Sequence, residues 1–152
     1  MALKRLLNET TNVAAEMSAA EISKELVAAG ALQIATQYRN GQISGLSWSM
    51  MVRGHEAFFA MPARVDGVFN YFLDRNKTVL TPQRKQELRD KAQRVAWRHL
   101  YRWVQAQVAM IRTGMMEPAE PFIPFVTIPG NNQTLFEAFA ETRGLPMPEQ
   151  PQ

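Results

Sequence analysis

An α+β fold, with a three-stranded antiparallel β-meander packed on a long central helix and shorter flanking helices, is predicted by three features of this chain. Two runs of alternating apolar and polar residues are joined by Asn40-Gly41, the pair a type I′ hairpin turn prefers. A third short run returns after Arg53-Gly54. From Pro82 to Met115 the pattern is helical, with Pro at the first position and no interruption before Gly114. A small sheet with one apolar side needs a helical cover, so the helix and the meander are expected to pack together.

Residues 1–17 carry Leu3, Leu6 and Leu7 followed by the polar run from Asn8 to Asn12, and read as a loosely held, flexible N-terminal arm. A single domain is expected over residues 18–144. Ser18 and Glu21 have capping-box spacing, with Met17 and Ile22 in the staple positions, which predicts a helix from Ala19 to Gly30. The first strand alternates through Leu32, Ile34, Thr36 and Tyr38. The second runs from Gln42 to Val52, with a bulge expected at Gly45 where the phase changes. The third runs from His55 to Met61, which places Ala57 opposite Met50 and Phe59 opposite Trp48. One face then carries Leu46, Trp48, Met50, Phe59 and Met61.

After Pro62, Val65, Val68, Phe69, Phe72 and Leu73 recur at helical spacing. Beyond Gly114, four prolines between Pro118 and Pro129 flank Phe122, Ile123, Phe125, Val126 and Ile128, a composition suited to an extended apolar strap. Thr134 and Glu137 repeat the capping-box spacing, predicting a short helix that closes at Gly144 and leaves 145–152 as a disordered tail.

On the central helix, Leu88, Ala92, Val95, Ala96, His99, Trp103, Ala106 and Met110 form one apolar side, which Trp97, Leu100, Tyr101, Val104, Val108 and Ile111 extend. The remaining narrow stripe holds Arg84, Lys91, Arg94, Arg98, Arg102, Gln105 and Arg112, and is the face expected to meet water. Residues 81–115 hold eight basic and two acidic side chains, a local charge of +6 in a chain of net charge +3. Residues 116–152 are net acidic. Guanidinium groups in a line match phosphate oxygens, and Tyr101 at the border of the stripe could stack on a base. The same line also suits a solvated face, with Glu117, Glu120, Glu137 and Glu141 folded back over it.

At 152 residues, with 46% hydrophobic and 20% charged, the chain fits one compact domain. It has no cysteine, which removes disulfides, thiolate metal sites and cysteine nucleophiles. No secretory signal or membrane-length apolar run is read, so a soluble, cytoplasmic protein is expected. His55 and His99 are the only histidines: one sits at a turn and the other on the apolar arc, and neither has ligand spacing around it. No nucleophile elbow or glycine-rich phosphate loop is present. Neither cofactor nor metal is expected, and the chain does not read as an enzyme. The wide apolar arc and nine methionines suggest that a second copy of the chain covers part of the helix.

The segments Glu9-Thr10-Thr11, Ile43 to Trp48, Val95-Ala96-Trp97-Arg98, Arg102 to Gln107, Met110 to Met115 and Leu135 to Phe139 resemble a family of small proteins of phage and mobile elements. The resemblance spans roughly residues 9–140 and implies a viral or prophage setting in a bacterial host, with no activity carried over. In element order alone, meander then long helix, the chain is also similar to the core of single-strand annealing proteins. Two functions are therefore expected to compete. One is a nucleic-acid-binding module, single-stranded DNA included, contacting phosphates through Lys91, Arg94, Arg98 and Arg102 and stacking through Tyr101. The other is a protein-interaction, inhibitor or assembly module working through apolar surfaces.

Overall fold

The computed structural model describes residues 4–143, so the predicted closure at Gly144 and the tail beyond it lie outside the described residues. The elements run α1 (Ala15–Ala28), β1 (Ala31–Arg39), β2 (Gln42–Val52), β3 (His55–Pro62), α2 (Val65–Arg75), α3 (Pro82–Arg112), a 3-10 turn (Glu120–Phe125) and α4 (Leu135–Thr142). The sheet has the order β1-β2-β3 with antiparallel pairing throughout. The α+β meander-and-helix architecture is as the sequence predicts.

The register agrees residue for residue with the alternation: Trp48 faces Phe59 and Met50 faces Ala57. Both hairpin turns place both central residues at positive φ, Asn40 and Gly41 in the first, Arg53 and Gly54 in the second, as type I′ geometry requires. Gly45 lies at a register shift between β1 and β2. A Cβ there would come within 3.0 Å of the Met61 carbonyl oxygen, so the bulge admits no larger residue without movement.

Leu46, Trp48, Met50, Phe59 and Met61 form the buried face of the sheet. Over them lie Ile22 and Leu26 of α1, Trp97, Val104 and Val108 of α3, and Phe122 of the 3-10 turn. Phe122 contacts three rings edge-on, Trp48 at 5.4 Å, Phe59 at 6.5 Å and Trp103 at 5.8 Å. The amide of Gln93 is buried beside this core and donates to the Ile43 carbonyl at 2.7 Å, tying α3 to β2. A second cluster joins Phe69 and Phe72 of α2 to Ala92 and Val95 of α3. Much of the apolar arc of α3 is thus covered from within the chain, while Trp103 and Ala106 remain exposed.

Four expectations change. Helix α1 begins at Ala15, not Ala19, and Ser18 is buried inside it without capping anything. The alanine-rich start, with Glu16 in the first turn, sustains the helix without a capping side chain. Trp103, placed in the core by its angle, is 37% exposed, with Phe122 and Phe125 of the proline-rich segment packed edge-on against its ring. That segment is not wholly extended. It makes a 3-10 turn before Val126 and Thr127 lie against β3, where the Thr127 amide donates to the Phe58 carbonyl at 2.8 Å. The described part of the arm, expected to be loose, makes specific contacts. Tyr71 donates to the Lys4 carbonyl, Arg75 pairs with Glu9, the His99 ring meets the Leu7 carbonyl, and Leu6 packs on the α2–α3 cluster.

Candidate functional site

The structure divides the predicted cationic stripe of α3: Arg98 faces α1, Lys91 lies over Phe72 of α2, and Arg84, Arg102 and Arg112 are exposed. Arg98 turns inward. Its guanidinium pairs with Glu21, donates to the Ser18 hydroxyl at 3.3 Å and leaves the side chain only 13% exposed. Ser18 and Glu21, one turn apart on α1, therefore both accept from Arg98, and do not cap the helix's own amides as their spacing predicts. Arg98 is accordingly not on the water-facing ridge where helix geometry puts it. A neighbouring helix overrides what α3 alone would present.

Tyr101 is engaged as well. The Arg98 guanidinium lies 4.3 Å from its ring centroid and that of Arg102 lies 5.7 Å away, while its hydroxyl accepts from Gln105 at 3.2 Å. A ring held this way has less free surface to offer a base. Arg102 itself is exposed and donates to the Gln105 side-chain carbonyl at 3.1 Å. Arg94 is half-buried, and its Nε finds no hydrogen-bond partner among the described residues. Lys91 reaches over Phe72, 5.0 Å from the ring centroid, beside a shallow depression lined by Asn76, Leu80, Arg84, Glu87 and Leu88.

Lys91 also contributes to a charge cluster that the sequence does not reveal. The Glu9 carboxylate is almost enclosed between the arm and α2. Its hydrogen bond from Arg75 is the main cause that holds its pKa below the usual 4.5, against the opposing effect of burial, with help from the Leu6 amide and the charges of Arg75 and Lys91. Arg75 is correspondingly raised, chiefly by the same hydrogen bond. This cluster pins the arm.

The acidic C-terminal third does not fold over the stripe through any ion pair among the described residues. Glu117 pairs instead with Arg53 of the second hairpin turn, Glu137 completes the α4 capping box with Thr134 as predicted, and Glu141 accepts from Gln133. Among its exposed residues the C-terminal third also presents large apolar side chains. Leu135, Phe136 and Phe139 recur at i, i+1 and i+4 on α4, and are 43%, 39% and 51% exposed. Ile123 of the 3-10 turn is 41% exposed. Phe136 borders a cleft of about 230 Å³ shared with Pro62, Arg64, Pro124, Phe125 and Thr134, and the Arg64 guanidinium lies 5.9 Å from its ring centroid. The sequence identifies these residues as an apolar helix and strap but carries no signal that their outer side stays uncovered.

Among the described residues no group of three His, Asp or Glu side chains could hold a metal ion, and no helix is long and apolar enough to cross a membrane. No protein-family model, curated protein or solved structure matches the chain.

Proposed function

We propose that this chain is a non-enzymatic protein-interaction module, acting as an assembly factor or inhibitor through the apolar surface of α4 and the proline-rich segment. The observation that carries the reading is the exposure of Phe136 and Phe139 on an eight-residue helix beside a proline-lined cleft. Apolar side chains grouped on a monomer's surface commonly mark a partner site, and aromatic anchors seated beside clefts dominate such interfaces. The resemblance of the sequence to phage and mobile-element proteins fits a partner of viral or bacterial host origin.

The test is the size of the species formed by the protein in the cells that produce it. The reading predicts a complex larger than the purified chain that survives high salt, is lost in Phe136→Ser/Phe139→Ser, and persists in Arg94→Glu/Arg102→Glu. Loss in the arginine variant alone would overturn it.

Nucleic-acid binding is the second reading. It is favoured by one observation: Lys91, Arg94 and Arg102 make no ion pair among the described residues. It now rests on those three residues, because Arg98 and Tyr101 are held within the chain. This reading predicts micromolar binding of a labelled single-stranded oligonucleotide, weakening steeply with salt and absent in Arg94→Glu/Arg102→Glu.

A further inference from the structure

The two long edges of the sheet are treated differently. Along β3, Thr127 donates to Phe58 and Val126 bridges Phe59, so the proline-rich segment covers part of that edge. Among the described residues no strand pairs with the other edge, the outer side of β1. That strand, ALQIATQYR, has neither proline nor lysine, and no charge before Arg39. Natural sheets normally protect an open edge with such residues, because unpaired backbone amides and carbonyls template another strand.

β1 does contain a bulge, a common edge protection, but it lies at the Ala31–Gln33 end. The other register shift falls at Gln37/Tyr38, so the regular segment is Gln33–Gln37. Its centre is Ala35. Antiparallel pairing of this segment with itself about Ala35 sets Gln33 against Gln37, Ile34 against Thr36, and Ala35 against Ala35. Facing side chains then match in kind: amide with amide, β-branched with β-branched. The exposed Leu32 and Tyr38, 58% and 62% accessible, lie just beyond the two ends and would meet across the pair.

Charge agrees with this arrangement. No charged residue faces another within the paired segment. The Arg39 end of each strand would arrive near the C-terminus of the other copy's α1, whose last turn carries no basic residue of its own. An edge so matched to itself fits an isologous contact, the kind a two-fold dimer makes.

We infer that a second copy of this chain docks on the open edge of β1, joining two meanders into one six-stranded antiparallel sheet with both helical layers on the same side. The contact is separate from the α4 surface, so either can fail without the other.

Sedimentation equilibrium of the purified full-length chain tests it. The expected mass is twice 17.2 kDa. Ala35→Lys places like charges opposite each other at the two-fold axis and should weaken the dimer by roughly fivefold or more. Ala35→Glu should do the same, and mixing the two variants should restore it. Because the chain has no cysteine, Ala35→Cys should be joined into a covalent dimer by a short bifunctional maleimide. That readout decides the matter if the charged variants fold poorly. A monomeric wild-type chain would overturn the inference. So would a dimer indifferent to both charges, or an Ala35→Cys dimer that does not cross-link.

Discussion

The seam between α1 and α3 and the outer surface of α4 are mirror cases. In the seam, a guanidinium that helix geometry assigns to water is drawn inward by Glu21 and Ser18 and also covers Tyr101. On α4, Phe136 and Phe139 stay at the surface, because no described element lies over them. The difference teaches that charge here serves partly as internal attachment, whereas apolar surface is what the fold leaves open.

The comparison presumes a rigid core beneath both regions, and breaking that core gives the largest effect. Trp97 is fully buried between α1 and the sheet. Trp97→Ala should cost about 3–5 kcal/mol in urea unfolding, enough to unfold a marginal domain.

Next in size is the seam. Removing Glu21 strands the mostly buried Arg98 guanidinium, so Glu21→Ala should destabilise by about 1–3 kcal/mol. Glu21 is itself about a third exposed, which keeps the cost below that of a fully buried pair. Arg98→Met should cost less, since it removes the charge and keeps the packing. A double-mutant cycle checks whether the two residues act as one unit. Additive effects would mean that the pair does not hold the seam.

Smaller, and dependent on pH, is the arm. The Glu9 carboxyl titrates lower in the folded chain than in the unfolded chain, so its contribution is complete above the unfolded value near 4.5 and is lost as pH falls through the depressed folded value. Urea midpoints of wild type and Glu9→Gln should therefore differ at neutral pH and converge in acid. A constant gap would separate the arm from this carboxylate.

The smallest stability effect is expected where the functional effect is largest. Phe136→Ser and Phe139→Ser should each change unfolding free energy by about 0.5 kcal/mol or less, as surface replacements do, while removing association with a partner.

Most of the fold was legible because its signals are local. Turn pairs set both hairpins, alternation set the register through Trp48 and Phe59, and the Thr134–Glu137 box set the start of α4. The candidate site was much less so. Arg94, Arg98 and Arg102 share one stripe of α3 by their spacing, but the direction of Arg98 is set by Ser18 and Glu21 of α1, some eighty residues earlier in the chain. The Ser18–Glu21 spacing points to the helix's own amides and serves Arg98 instead, because a capping pair and a pair binding an arginine look alike in one dimension. Glu9 and Arg75, far apart in sequence, left no periodic trace. Nor could the open side of α4 be seen, since a helical apolar pattern states which residues share a face and not whether anything lies against it.

The central claim is that the partner surface is α4 and not the cations of α3. Site-specific photocrosslinking tests it most directly, with a photoreactive phenylalanine analogue placed at position 139 or at position 102 in cells that make the protein. The account predicts a discrete protein adduct from position 139 and none from position 102. A nucleic-acid adduct from position 102, with position 139 silent, would contradict it.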